Sequence, residues 1–467
     1  MRESARALSV VEFLWTEIGG RLAALETLQF TGDGALPSCF SVTDLASAAI
    51  AAAGLSVSEL ARALGSKPLA IRVDRRLASM WFDLSIRPTG WTLPPARDPI
   101  MGDYRAKDGW IRLHTNAPHH RSAAERVLGR CDHAQTAAKR VATWSKGELE
   151  ASIVQAGGCA AEMRSAAAWS DHPQGRAVAA EPLICFDDSD EVPSGRWPES
   201  IRRPDAARPL AGVRVLDLTR VLAGPVATRF LAGYGAEVLR IDPPDWSEPG
   251  VVPEVTLGKH CARLDLKSAA GRATFESLLA GADVLVHGYR PTALERLGFG
   301  ATRRRALAPG LIDVCLDAYG WSGPWAERRG FDSLVQMSAG IADAGMSWKR
   351  SNHPIPLPVQ ALDHATGYLT AAAAIRGVER RLATGRGVAA RLSLARTAKL
   401  LLDLGAGEHE RPLTPETPSD VAAEVETTPW GGARRLNPPV SIQHIPMHWS
   451  LPACELGSSP AGWSPLP

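Results

Sequence analysis

Between residues 213 and 316 the chain alternates short apolar, β-branched runs with longer segments of helical spacing. No other feature limits its fold as much. Residues 213–218, 237–241, 282–287 and 311–316 read as strands, and residues 226–234 and 271–280 as helices. Gly224-Pro225 breaks the chain ahead of the first helix. Strands separated by helices do not pair as hairpins; they line up in parallel and the helices pack on the sheet faces. The expected fold is α/β, a Rossmann-like, doubly wound parallel sheet. Such sheets place ligands beyond the carboxyl ends of their strands. Arg220, Gly288, Tyr289 and residues 318–320 each follow a strand and are expected on that rim.

Downstream, Pro356-Leu357-Pro358-Val359-Gln360-Ala361-Leu362-Asp363 leads into the Ala-rich stretch after His364. A helix is expected to begin just after Asp363, with the Asp carboxylate as its N-cap. That placement would keep the carboxylate ionised and presented at a helix mouth, as a carboxylate nucleophile requires. Most Asp residues at such positions are plain caps, and the upstream motifs decide between the two roles.

Those motifs follow one another in order. They are Pro209-Leu210-Ala211-Gly212-Val213-Arg214-Val215-Leu216-Asp217-Leu218-Thr219-Arg220, then Gly235-Ala236-Glu237-Val238, then Gly258-Lys259-His260-Cys261-Ala262-Arg263-Leu264-Asp265-Leu266-Lys267. After these come Gly288-Tyr289-Arg290-Pro291, Leu294-Glu295-Arg296-Leu297-Gly298, Ala318-Tyr319-Gly320-Trp321-Ser322-Gly323-Pro324 and Gly330-Phe331-Asp332. Residues 209 to about 400 thereby resemble the class III CoA-transferases (CaiB/BaiF type). His260 stands where the family usually has Arg, and Pro243-Pro244 where it often has a basic residue.

The resemblance implies a catalytic Asp363 that forms an anhydride and then a thioester with CoA. The implied substrates are an acyl-CoA donor and a carboxylic acid acceptor, with coenzyme A as acyl carrier and with neither metal nor NAD. It also implies a CoA site. Leu264, Asp265, Leu266 and Lys267 would border the adenine, and Gly288, Tyr289 and Arg290 would line the pantetheine and pyrophosphate. Arg296 would meet a phosphate. Leu222, Ala223, Arg329, Gly330, Phe331 and Asp332 would flank the thiol end. Backbone N–H groups near Asp363 and in the 320–323 turn are candidates for oxyanion stabilisation.

Two alternatives stay open. One is an α-methylacyl-CoA racemase-like isomerase, which needs a His where Phe331 stands. The other is a catalytically inactive CoA-binding or partner-binding protein. A dehydrogenase lacks its Gly-rich fingerprint here, since Leu222-Ala223-Gly224-Pro225 is not GxGxxG. His114, His119 and His120 match no zinc spacing and are read as a cleft wall.

A net charge of +2 points to no nucleic acid and no membrane surface, and the Ala-rich stretches at 46–55 and 370–375 are too short to span a bilayer. Seven scattered cysteines suit reduced thiols in a cytoplasmic protein.

The order of parts is unusual. Residues 108–114 and 172–178 resemble the start and end of the family's small domain, yet both precede the large one. Residues 36–47 align without gaps on 355–366, which places Asp44 on Asp363. The expected organisation is two family copies, fused and trimmed. Residues 1–95 would be a helical remnant of a first large domain, 96–185 a small α+β domain, and 186–208 a linker. Residues 209–402 would form the large catalytic domain, 403–436 a loose linker, and 437–467 a tail packed on the large domain. Asp44 is expected to be a helix cap. Such a chain either pairs as a homodimer or is a self-contained pseudo-dimer.

Overall fold

The computed structural model describes residues 2–95, 97–188, 207–405 and 411–464. In the N-terminal region β1 (Leu28–Thr31), β2 (Ile71–Asp74) and β3 (Ile86–Pro88) accompany a long helix, Val42–Ala63. Next, β4 (Gly102–Ala106), β5 (Gly109–Leu113) and β6 (Ala160–Glu162) form a small antiparallel sheet. The main sheet takes β7 (Cys185–Asp188), β8 (Arg214–Leu218), β9 (Glu237–Asp242), β10 (Lys259–Arg263), β11 (Val284–His287), β12 (Ile312–Asp317) and β13 (Val388–Ser393). Three short strands close the chain: β14 (Glu426–Thr428), β15 (Gly431–Arg435) and β16 (Val440–Ile442).

The main sheet has the order β10-β9-β8-β11-β12-β13-β7. Its neighbours are parallel except at the edge, where β7 runs antiparallel to β13. The fully parallel sheet expected from the alternation is therefore corrected to a mixed, mostly parallel one. The extra edge strand extends into the stretch read as a linker; residues 189–206 of that linker lie outside the described residues.

Side-chain alternation along the strands sorts the core. Val215, Val238, Val284, Val286, Ile312 and Val314 join the core that holds helix Ala361–Thr384. Leu216, Leu218, Leu239, Ile241 and Leu285 point the other way, onto Phe275, Leu278 and Phe299. Both faces are thus covered by helices, which is why these strands read as nearly continuous apolar runs.

Helix Val42–Ala63 packs along helix Ala361–Thr384. By length and composition it could cross a bilayer, which corrects the reading of residues 46–55 as too short, but its apolar window is wholly buried in this core. The two helices begin alike. Asp44 and Asp363 are each the third helical residue, after Ser41 and Gln360 with nearly the same backbone angles. The same offset relates Asp74 and Ser393, which cap helices Arg75–Trp81 and Leu394–Asp403.

Neither Asp44 nor Asp363 is an N-cap, because the helix starts three residues earlier than expected in each case. Asp44 instead meets Arg75 at 2.9 Å and Arg6 at 3.5 Å. Arg75 is fully buried, so breaking the pair leaves a charge in the core. Asp44→Ala is expected to cost about 3 kcal/mol of stability by urea titration. Any acyl exchange per folded molecule should be unchanged.

Residues 411–436 are not a loose linker. Gly431–Arg435 pairs with both β14 and β3, Ala35 bridges to Pro412, and Arg76 meets Asp420 at 2.6 Å. Their polar composition reads as solvated only because the partners are remote in sequence, Arg76 and Asp420 being 344 residues apart. The tail also differs from expectation. β16 joins β2 of the N-terminal region before Trp449 and Trp463 reach the main sheet's helices, donating to Arg229 O and Leu278 O.

Glu254 ties the regions together. Its carboxylate accepts from Ser85 N and Ile86 N at 3.0 Å, and pairs with Arg229 and, at 3.0 Å, with Arg435.

Candidate active site

A cavity of about 350 Å³ opens at the carboxyl ends of β8, β11 and β12. Its floor starts at Val221, which holds a left-handed backbone with φ 67°. A β-branched residue resists that conformation, so the turn is strained. The strain is held by Glu248, whose carboxylate accepts from Val221 N at 2.8 Å. The chain then turns at once into helix Ala223–Gly233, and Leu222, Ala223 and Gly224 line the cavity. The first N–H groups of any helix lack partners within it, so this end offers donors and a positive dipole.

Helix Ala361–Thr384 brings Asp363 to the same cavity. Gly367, one turn on and on the same face, lets the two helices touch; a Cβ there would sit 2.4 Å from Ala223 O. The Asp363 backbone does not use its own carboxylate for capping. Asp332 does that work. Its Oδ2 accepts from Leu362 N at 2.9 Å and from Asp363 N at 3.0 Å, and its Oδ1 from Gln336 Nε2 at 2.5 Å. Gln336 in turn accepts from Leu357 N at 2.7 Å. The Asp363 carboxylate has no hydrogen bond among the described residues and faces the cavity.

This corrects the expectation of an Asp363 kept ionised by capping. Burial first, and then the Asp332 charge, push the Asp363 carboxyl well above the ordinary carboxylate range. Burial raises Asp332 to about 6, with the N–H groups of Asp363, Gln336 and Leu362 opposing the rise. Two coupled carboxyls so placed give up protons as a pair. A reaction that needs Asp363 ionised will speed up as pH rises through that titration. Asp332→Asn removes the neighbouring charge and keeps an oxygen for the helix. In that variant the acid limb of the kcat/KM profile should move to lower pH, measured over about pH 5 to 8.

Of the residues expected at the CoA site, Leu222, Ala223, Gly288, Tyr289, Arg290, Arg329, Gly330 and Phe331 line the cavity with Asp363. Asp332 lies behind it. Leu264, Asp265, Leu266, Lys267 and Arg296 are not in its wall. Leu266 is packed in the core beneath the sheet, and the Asp265 carboxylate caps Lys267 N. Arg296 is at the surface, 3.3 Å from Glu327.

Three of the suggested oxyanion donors of the 320–323 turn are occupied. Gly320 N donates to Asp317, and Trp321 N and Ser322 N both donate to Glu181. Asp363 N is taken by Asp332. The start of helix Ala223–Gly233 lines the cavity instead; Ala223 and Gly224 carry N–H groups there, while Pro225 has none.

The lining also includes residues outside the expected CoA set. Arg220 lies over the rings of Trp246 and Tyr289, at 4.9 and 5.3 Å, and donates to the Tyr289 hydroxyl at 3.0 Å. His119 and His120 reach the wall from the small unit. Burial lowers His120 to about 3, so its ring is neutral at ordinary pH. Asp317 also lines the cavity, raised to about 8 by burial against the opposing N–H of Gly320.

Residues 210–429 match the family model for CoA-transferase family III. The C-terminal half of the chain belongs to that family (CaiB/BaiF), and the match leaves the N-terminal half unassigned. Among curated relatives, the acetyl-coenzyme A transferase nodX of Hypoxylon pulicicidum is 32% identical over 222 residues, 46% of this chain and 37% of that one. The succinyl-CoA:glutarate CoA-transferase of Mus musculus is 33% identical over 197 residues, 39% and 45% of the two chains. An acyl-CoA transferase of Gibberella moniliformis is 30% identical over 257 residues, 53% and 45%. The chain therefore spans less than half the length of each of these three relatives.

Proposed function

We propose that the protein is an acyl-CoA:carboxylate CoA-transferase with Asp363 as nucleophile. The observation that supports this most is the Asp363 carboxylate itself. It is unpartnered, set on the wall of a cavity, and opposed by the open N-terminus of helix Ala223–Gly233. A structural Asp this deeply buried would be paired, as Asp44 is. The names of the relatives point to the same exchange.

In this reading Asp363 attacks the thioester carbonyl of the donor, forming a mixed anhydride and expelling CoA thiolate. The thiolate attacks the aspartyl carbonyl, which releases the donor acid and leaves an aspartyl-CoA thioester. The acceptor carboxylate attacks that thioester to form a second anhydride, again freeing the thiolate. Attack of the thiolate on the acceptor's carbonyl gives the new acyl-CoA and restores Asp363. One thioester replaces another, so the exchange is close to thermoneutral. The helix N-terminus is placed to stabilise the oxyanion of each tetrahedral intermediate. The Arg220, Trp246 and Tyr289 cluster gives the pantetheine arm a wall at the cavity mouth.

The test is mass spectrometry of the intact protein and its peptides after incubation with acyl-CoA. A CoA or acyl adduct on Asp363, lost with a carboxylic acid acceptor, is the expected result. An unmodified Asp363 across a panel of acyl-CoA donors would remove the reading. The isomerase reading is kept in view by His119 and His120, which share the cavity with Asp363. It predicts exchange of the acyl α-hydrogen for deuterium with no adduct at all.

A further inference from the structure

The tail that follows β16 returns to the main sheet and runs along β10, the edge strand at the end opposite β7. Cys454 N donates to Thr256 Oγ1 at 3.1 Å, and Thr256 Oγ1 donates to Cys454 O at 2.9 Å. Five residues on, Ser459 N donates to Cys261 O at 2.8 Å, and Cys261 N donates to Ser459 Oγ at 3.3 Å. The segment 454–459 is thus fastened at both ends, and it brings two thiols together.

Cys261 is fully buried and Cys454 half-buried, and neither is in a disulfide. Their side chains are hydrogen-bonded to each other. As a thiol, Cys454 Sγ also donates to Lys259 O at 3.5 Å. The Cys261 S–H lowers Cys454 to about 7, helped by the Ser458 hydroxyl and by the charges of Lys259 and Arg240, against its burial. Cys261 goes the other way: the Cys454 sulfur and burial push it well above the ordinary thiol range. The outer sulfur therefore reaches solvent and is partly thiolate at neutral pH, and the inner one keeps its proton directly behind it. An accessible, ionised thiol beside a second thiol is the arrangement that reversible oxidation requires.

We propose that Cys454 is a site of oxidation by peroxides and that Cys261 resolves it to a disulfide. The Cys454 sulfur attacks one oxygen of the peroxide and the O–O bond breaks. The other oxygen leaves with the thiol proton as water or an alcohol, and Cys454 becomes a sulfenic acid. The Cys261 sulfur then attacks that sulfur. The S–S bond forms, the S–O bond breaks, and hydroxide leaves with the Cys261 proton as water. The two thiols have given up two electrons, and the peroxide has taken them. A dithiol reverses the change by exchange. The bridge clamps the tail to the strand that holds the helix at the cavity. Lys259, two residues before Cys261, donates to Pro225 O and Thr228 Oγ1 of helix Ala223–Gly233 at 3.0 and 2.7 Å. Asp363 takes no part, so the proposal stands or falls apart from the transfer reaction.

The experiment treats the reduced, folded full-length chain with a small excess of hydrogen peroxide at pH 7, blocks the remaining thiols by alkylation, and maps the peptides by mass spectrometry. The expected product is a linked pair of peptides carrying Cys261 and Cys454, restored to free thiols by dithiothreitol. Cys454 should be oxidised about tenfold faster than Cys39 or Cys185, the other half-buried cysteines. In Cys261→Ala the sulfenic acid should persist on Cys454 and be trapped by dimedone. In Cys454→Ser, Cys261 should stay reduced. Because the native chain carries the main readout, a variant that folds poorly does not shield the proposal. Linkage that appears only after unfolding in urea overturns it, as does oxidation of Cys39 or Cys185 ahead of Cys454.

Discussion

Replacing Asp363 by Asn is expected to stop acyl exchange while making the folded chain more stable at neutral pH. The first effect follows from its role. Without the carboxylate there is no anhydride and no aspartyl thioester, and turnover should fall by at least ~10³-fold. The second follows from its surroundings. The group is buried, lacks a hydrogen bond of its own, and lies beside Asp332. Its folded pKa is raised, so the folded chain holds the proton more tightly than the unfolded one. Stability is then lost as pH climbs from the ordinary carboxylate value through the raised one. The Asp363→Asn substitution removes that loss. Urea midpoints of the variant and the native chain should agree near pH 4 and separate by pH 7, with the variant higher. A variant less stable at pH 7 would mean that Asp363 is held by contacts its surroundings do not show.

The largest loss of stability is expected at Glu254. It is fully buried and receives two backbone N–H groups, a serine hydroxyl and two arginines. Glu254→Ala leaves Arg229 and Arg435 charged and unmatched inside the core, at a cost of about 3–5 kcal/mol. The Glu254 carboxyl is lowered to about 2, chiefly by Arg229 and Arg435 acting against its burial. For a lowered group the sign is the reverse of Asp363. Its contribution is complete above the ordinary glutamate value, about 4.3, and disappears as pH falls toward 2. The native chain should therefore lose stability in that window, and the variant much less. Because Ser85, Arg229 and Arg435 come from three regions, the variant should also expose the N-terminal and C-terminal segments to proteases together.

Much of the main sheet was legible because its strands are buried on both faces. Residues 213–218 and 282–287 are mostly apolar on both faces, and such runs stand out in a sequence. Strand Cys185–Asp188 did not stand out. It lies at the edge, ends in two acidic residues, and becomes a strand only by pairing with β13. Strands β14 and β15 were hidden for the same reason, since β15 depends on β3, far upstream.

At the site, Asp363 was singled out through the motifs around it. The carboxylate that caps its helix was not, because Asp332 lies 31 residues upstream and nothing local shows that the two meet. Asp332 was named instead as a neighbour of the thiol. Lys267 and Arg296 looked suitable by charge, but charge alone does not say which way a side chain faces. His119 and His120 were readable as a cleft wall because small-unit motifs surround them.

The pairing of β2 with β16 has a bearing on how the molecule is made. Ile71 leaves the ribosome about 370 residues before Ile442, its partner across that ladder. At ordinary rates of synthesis the gap is on the order of tens of seconds. Throughout that interval one edge of the N-terminal sheet has no mate, and the apolar helix behind it is only partly shielded. A nascent chain in that condition is a natural client for chaperones that bind exposed strand edges, and its yield should depend on them far more than the finished fold does.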